Sequence, residues 1–334
     1  MPALYNKTPL LPKNLSGGDG PTFLFKYENM QPGGSFKIRG VSHLIEKRVE
    51  QIKSEGKKPP HVFSSSGGNA GLAAATACHI LSIPCTVVVP TLTKPRMVEK
   101  IRKANAEVIV KGSNWKEADD YLRGTVIASN NAVQPIYVNP FDDPLLWEGH
   151  STMIDEILNA LNQENIKLDA VKGIVCSVGG GGLFNGIVHG LENHQLACTI
   201  PVVAVETKGC DVLGLSLAAE KPVRLNKIDS IATSLGSSYV SCQAFDNAVK
   251  FKSRSVVLHD SDVLNTCYRY LDDFNAIVEP ACGATIHTAY HYKILEKALG
   301  QKLTPSDIII IIVCGGSCVT IQDLENAKRK LDTD

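Results

Sequence analysis

The sequence predicts an α/β fold built on open, twisted, mainly parallel sheets flanked by helices. Three observations lead there. Short apolar runs recur along the chain, "TFLFKYE", "HVFSSS", "CTVVVP", "AEVIVKG", "PIYVNP", "GIVCSVGG", "PVVAVETKG" and "IIIIIVCGG", and their nearly continuous hydrophobicity marks strands covered on both faces. Between them, "NAGLAAATACHILS", "KPRMVEKIRKAN" and "STMIDEILNALNQEN" read as amphipathic or buried helices. Glycine-rich loops directly follow several runs: "SSSGGNAG" after Phe63, "SVGGGGLFNG" after Cys176, "ETKGCD" after Val205 and "CGGSC" after Val313. A strand followed by a helix, repeated, places ligands at the carboxyl ends of the strands, where such loops begin and converge on one cleft.

A chain of 334 residues is long enough for one large or two medium domains that can bury a site. No internal repeat or low-complexity linker is visible, so any domain division is non-sequential or hidden in short connections. Lys plus Arg and Asp plus Glu each number 34, which gives no basic field of the kind nucleic-acid binders use. The run "IIIIIV" at 308–313 falls far short of the roughly 20 residues of a bilayer span, and "MPALYNKTPLL" lacks an apolar signal core. No nucleic-acid or membrane partner is expected, and the expected location is the cytoplasm, with the mitochondrion left open. Ten cysteines lie scattered in apolar segments without a CxxC pair, as reduced core thiols do, and Cys and His do not cluster at zinc spacing.

Two loops call for anions. In "SVGGGGLFNG" the glycines Gly179, Gly180, Gly181 and Gly182 let backbone N–H groups turn toward one point, and the helix that follows adds its positive end, which favours a phosphate. The plain alternative is a tight strand-to-helix turn, which seldom needs four glycines. No Gly-Lys-Ser/Thr follows, so this is not a P-loop, and the dinucleotide fingerprint fits poorly, although Glu206 at the end of the next strand keeps a nucleotide reading open. In "SSSGGNAG", Ser66, Gly67, Asn69 and Ala70 offer hydroxyl, amide and N–H groups that suit a carboxylate. The plain alternative here is that Asn69 is an ordinary helix cap.

Lys37 stands in "GGSFKIRG" between a glycine pair and an arginine, directly after Phe36. Taken alone it would be a surface lysine. With a phosphate cradle and a carboxylate nest converging beside it, it is the amine that pyridoxal phosphate requires. It can bond the cofactor aldehyde as a Schiff base and, with its pKa lowered by desolvation, act as a base.

The segments "PGGSFKIRG", "SSSGGNAGLAAA", "SVGGGGLFNGI", "EPACGAT" and "VCGGSCVT", in this order over nearly the whole chain, resemble the serine/threonine dehydratase family of pyridoxal phosphate enzymes, and within it the fungal catabolic branch acting on L-serine and L-threonine. The resemblance implies the fold of type II enzymes of this cofactor, similar to the tryptophan synthase beta subunit, with two sheets. It implies a large cofactor-binding domain of residues 1–37 and 144–334, a small inserted substrate-side domain of residues 38–143, and a homodimer. It makes Lys37 the Schiff-base lysine and Phe36 the residue packed on the ring. Asn69 would hydrogen-bond the ring hydroxyl oxygen and help, with Ser66, Gly67 and Ala70, to receive the substrate. Gly179 to Gly182 with Leu183 would hold the phosphate, and Cys314 would face the pyridine nitrogen. It further implies a monovalent cation, usually K+, near Gly179, Cys210, Leu235 and Ser237, with Glu206 close by.

These roles predict elimination. A thiol offers a pyridinium no carboxylate charge, so the ring is a weak electron sink, and loss of a β-hydroxyl disperses charge as it forms. L-Serine would give pyruvate and ammonia, and L-threonine 2-oxobutanoate and ammonia. Serine racemase shares the fold, but in that family a serine serves as second base where Gly67 stands here. Gly67 is accordingly expected to leave that face open to backbone and water, with room for the methyl group of threonine. Biosynthetic threonine deaminases carry a long regulatory extension that this chain lacks after "VCGGSC". Cysteine synthase has an asparagine where Ile38 follows the lysine. A non-catalytic module that grips a phosphate-bearing ligand through the four glycines is the reading from another class.

Overall fold

The structure, a computed structural model, describes residues 3–15 and 18–333. Met1 and Pro2, which open the segment read for a signal core, and Ser16, Gly17 and Asp334 of the expected large domain lie outside the described residues. Ten strands run in order: β1 Leu10–Lys13, β2 Thr22–Tyr27, β3 Pro60–Ser64, β4 Cys85–Val89, β5 Glu107–Val110, β6 Gln134–Val138, β7 Val171–Ser177, β8 Val202–Thr207, β9 Arg254–Leu258 and β10 Ile308–Val313. Eight of them are the apolar runs of the sequence. Two were not legible there. β1 is a four-residue edge strand carrying Pro12, and β9, another edge strand, is half exposed, so neither shows the hydrophobic run of a covered strand.

The chain divides into two compact units, each with its own sheet. The first comprises Met30–His150 with the residues up to Asn6, and it contains the whole of the interval 38–143 together with 30–37 and 144–150. Its sheet has the order β5-β4-β3-β6, all parallel. The five residues of β4, "CTVVV", are all buried, as a strand covered on both faces must be.

The second unit, Lys7–Asn29 with Ser151–Asp334, holds a six-stranded sheet ordered β1-β2-β10-β7-β8-β9, parallel except for β1 against β2. The last strand in sequence thus lies in the middle, where all six residues of "IIIIIV" are buried. Its register against β7, Ile311 opposite Val175, brings Ser177 and Cys314 to the same end of the sheet. Near the other edge, Lys26 is fully buried and donates to Glu156 Oε2 at 2.5 Å and to the Thr8 carbonyl at 2.6 Å, so its charge is paired where water cannot reach it. Among the described residues no helix is long and apolar enough to cross a membrane.

Candidate active site

In the first unit the loops at the carboxyl edge of the sheet carry the polar groups. Lys37 opens the helix Lys37–Ser54, and its Nζ donates to the carbonyl of Pro140, in the loop after β6, at 2.5 Å. Nζ also lies 5.2 Å from the centroid of the Phe36 ring. The lysine is therefore turned to the loop edge of its unit.

The loop after β3 leads directly into the helix Asn69–Leu81. Gly68, not Asn69, takes the N-cap position, so capping does not account for the asparagine. The Gly68 amide donates to Ser66 Oγ at 3.3 Å, and a side chain on Gly71 would run into the Ser66 carbonyl, so the loop folds tightly against its own helix. Behind it, Ser65 Oγ donates to Asp119 Oδ1 at 2.7 Å and Tyr137 Oη donates to the same oxygen at 2.6 Å. This buried carboxylate anchors the base of the loop from a helix fifty residues away. Nothing in the segment around Asp119 marks it out in the sequence.

Gly67 departs from expectation. A Cβ there would meet Thr93 Oγ1 and Cγ2, so the space beside Gly67 is filled by the Thr93 side chain instead of standing open to backbone and water. Thr93 follows β4, and the tight loop after that strand, closed by Thr93 N donating to the Pro90 carbonyl at 3.0 Å, brings it across.

In the second unit the four-glycine loop lies between β7 and the helix Gly182–Asn193. Gly181 takes the N-cap with φ 94° and ψ 0°, a left-handed conformation that side chains resist. A Cβ on Gly179 would sit 2.8 Å from the Leu235 carbonyl, and one on Gly181 would strike the Ala244 methyl group and lie 3.2 Å from Val240 Cγ2. Glycine is required at Gly179 by the Leu235 backbone and at Gly181 by its left-handed φ and the Ala244 side chain, and the helix start that follows carries no side-chain cap on its N-terminal N–H groups. A strand-to-helix turn alone would not demand this. The loop has the make-up of a phosphate cradle, and Leu183 stands in the first turn of its helix.

Cys314 follows β10 and is 3% exposed, and its Sγ accepts from Ser177 Oγ at 3.5 Å. Around it the titratable neighbours are themselves thiols. Cys282 hydrogen-bonds with Cys314 and is pushed well above the ordinary thiol range by that bond and by burial, and burial raises Cys176 as well. Glu279, which opens the "EPACGAT" segment, ties the neighbouring loops together: its carboxylate accepts from Ser234 Oγ at 2.6 Å and from the Cys318 amide at 2.5 Å, and Gly316 leaves it the space a Cβ would occupy. The motif was visible in the sequence, but this clasp was not.

Of the residues named for a cation, Cys210 and Leu235 pack in one buried cluster with Ala232 and Ala281, and the Ser237 amide donates to the Leu235 carbonyl at 2.7 Å. Glu206 is fully buried. Its carboxylate accepts from the amides of Leu213 and Gly214 at 2.8 Å each and from Ser255 Oγ at 2.7 Å, while burial pushes its pKa up to about 7. Among the described residues, no three His, Cys, Asp or Glu side chains gather as metal ligands.

Taken unit by unit, the residues fit pyridoxal phosphate: the first unit offers an amine at its loop edge, and the second offers a loop in which Gly179 and Gly181 admit no side chain and a thiol at the end of β10. Comparison with known proteins points the same way. The model of a family described as pyridoxal-phosphate dependent enzyme matches residues 2–315. The chain is 56% identical to a catabolic L-serine/threonine dehydratase of Saccharomyces cerevisiae, with 100% of this chain and 94% of the relative covered. Among solved structures, an L-serine ammonia-lyase from Rhizomucor miehei matches with a TM-score of 0.85 at 30% identity, over 98% of this chain and 99% of the other. A maize serine racemase gives a TM-score of 0.81 at 22% identity, over 98% and 92% of the two chains, a likeness of fold alone.

Proposed function

Because this chain belongs to the pyridoxal-phosphate dependent enzyme family, we propose that the site deaminates L-serine to pyruvate and L-threonine to 2-oxobutanoate, each with release of ammonia. The enzyme is an L-serine/L-threonine ammonia-lyase. The observation that carries the assignment of roles is Lys37, whose Nζ is held on the Pro140 carbonyl at the carboxyl edge of its sheet.

When bound, pyridoxal phosphate supplies an aldehyde for amines and a ring that draws electron density from the substrate Cα. Lys37 would provide the amine that holds it, and its Nζ would be the base for the substrate Cα proton. Phe36 would pack against the ring, and Asn69 would hydrogen-bond its hydroxyl oxygen. Ser66, Gly67 and Ala70, with Asn69, would receive the substrate carboxylate, while Gly179, Gly180, Gly181, Gly182 and Leu183 would hold the phosphate. Cys314 would face the ring nitrogen without a carboxylate's charge, a setting that suits elimination. The β-hydroxyl would take up a proton and leave as water, and a second water would hydrolyse the released enamine to keto acid and ammonia. K+ coordinated near Gly179, Cys210, Leu235 and Ser237, beside Glu206, belongs to the same reading. So do a homodimer, a cytoplasmic location and a substrate-side domain of residues 38–143, all resting on the family resemblance.

Purified protein supplied with the cofactor is expected to release keto acid from the L-forms of serine and threonine and little from the D-forms. Absence of keto acid from both L-forms would refute the assignment.

Thr93 bears on the alternative, racemisation, which needs a second acid/base group on the other face of Cα. The structure gives Gly67 a hydroxyl neighbour, Thr93, and a threonine hydroxyl by itself is no base near neutral pH. Gly67→Ser alone is expected to collide with Thr93 and to impair both substrates. Gly67→Ser combined with Thr93→Ala should recover serine turnover, add D-serine formation and disfavour threonine. Chiral analysis of the serine pool beside pyruvate release decides this. D-Serine production by the unmutated enzyme at a rate comparable to pyruvate release would overturn it.

A further inference from the structure

The helix that presents Lys37 begins without help from its own N-cap residue. Phe36 has helical φ/ψ and an apolar side chain, so it cannot accept from the first-turn amides as Ser, Asp or Asn would. The opening turn is also tightened. The Phe36 carbonyl accepts from Arg39 at 3.0 Å, one residue short of α-helical spacing, and the Gly40 amide donates at 3.1 Å to Nδ1 of His150. His150 comes from 110 residues further along the chain and is completely buried. Its ring also packs on Phe36, centroids 4.9 Å apart at 58°.

Two glycines allow this approach. A Cβ on Gly40 would lie 2.6 Å from His150 Cε1 and 2.5 Å from the Leu146 carbonyl, and a Cβ on Gly149 would lie 2.6 Å from the Arg39 carbonyl. The Lys37 helix and the segment carrying His150 thus touch almost backbone to backbone. Because Nδ1 accepts, the ring proton sits on Nε2, which has no hydrogen-bond partner among the described residues. Protonating Nδ1 would oppose two N–H donors across 3.1 Å.

We propose that His150 is a positioning residue for Lys37: as a permanently neutral Nε2–H tautomer it caps the Gly40 amide, braces Phe36 and fixes the turn from which Lys37 projects. This deepens the reading of Lys37 as the cofactor-binding lysine and rests on it. The charged groups around the ring favour the same state. Burial first, and then the neighbouring Lys37, Arg39 and His43 on the facing helix, hold His150 well below the ordinary histidine range. Glu148, on the segment of His150 itself, is turned to His43, with Oε1 3.2 Å from its Nε2. A cationic His150 would add a positive charge beside the amine that has to be neutral when it reacts.

The test begins with the unaltered protein. In holoenzyme labelled with 15N-histidine, His150 is expected to show the Nε2–H tautomer unchanged from about pH 8 down to about pH 5.5, a full unit below the ordinary histidine value. Titration near 6.5, or an Nδ1–H tautomer, overturns the proposal whether or not any variant folds.

Two variants then separate capping from space filling. His150→Asn places an acceptor near the position of Nδ1, and His150→Leu fills the volume without one. His150→Leu is expected to lower kcat by about 100-fold with KM changed by less than about threefold, the pattern of a misplaced reacting group, and His150→Asn should recover most of it. In the apoproteins, competitive acylation across pH should show Lys37 reacting differently in His150→Leu, and as in wild type in His150→Asn. If both variants match wild type in kcat and in Lys37 labelling, His150 has no positioning role. If Lys37→Ala retains turnover, the reading of Lys37 falls instead, so the two failures are distinguishable.

Discussion

Lys37→Ala is expected to lower keto-acid release from L-serine and L-threonine by at least about 10⁴-fold, the upper end of what one positioned proton-transfer group contributes. In the proposed reading the same Nζ both holds the cofactor and takes the Cα proton, so one substitution removes both contributions. Its place at the loop edge, on the Pro140 carbonyl, is filled by no other amine of its helix start, where Arg39 is directed onto the Tyr5 ring instead. Lys37→Arg should fail as thoroughly, since a guanidinium stays protonated and cannot serve as nucleophile or base. The phosphate loop lies elsewhere in sequence and keeps its form, so equilibrium dialysis should find the cofactor still bound to Lys37→Ala, but weakly. Wild-type-like pyruvate release by the purified variant would refute the assignment.

The second large effect is expected from Gly181→Ala. Its φ of 94° costs an L-residue about 1–2 kcal/mol, and the new methyl group would strike Ala244, in the helix Cys242–Lys250, and crowd Val240, just before the N-cap Ser241 of that helix. Relief requires moving either that helix or the loop, and the loop is the softer element. Its N–H groups then no longer point at one place, and affinity for pyridoxal phosphate should fall about 100-fold, equivalent to about 2.7 kcal/mol. Gly124→Ala, where a Cβ meets nothing within 4 Å, serves as control and should bind as wild type does. Cofactor titration by absorbance with both variants checks this, and equal affinities would show that the cradle does not depend on Gly181.

How much of the site was legible depended on whether its chemistry lay in one stretch of chain. The loops that carry the four glycines, Asn69 and Cys314 stand out as candidates because each follows an apolar run and ligand loops in such sheets follow strand ends, while the roles of Asn69 and Cys314 rest on the family resemblance. Even there the local reason was partly hidden. Gly179 and Gly181 look alike in sequence, but one is glycine because the Leu235 backbone lies against it and the other because of its left-handed φ as well. The open face expected at Gly67 was wrong for the same kind of reason, since a glycine leaves room for whatever neighbour the fold brings, and here that neighbour is Thr93.

By itself the sequence determined the eight strands that are covered by the fold, because such a strand must be nearly continuously apolar, as "IIIIIV" and "CTVVV" are, and it left the edge strands β1 and β9 unread. It also determined where backbone amides can converge, because only glycine tolerates the turns that aim them. Tertiary structure alone decided that β10 inserts between β2 and β7, which sets Cys314 beside Ser177. It alone recruited His150 to the Gly40 amide, Asp119 to Ser65 and Glu279 to Cys318. These partners lie 39 to 110 residues apart in the chain. A buried amide or hydroxyl requires some partner but does not specify which, so its choice is fixed only when packing has closed off water and left one acceptor within reach.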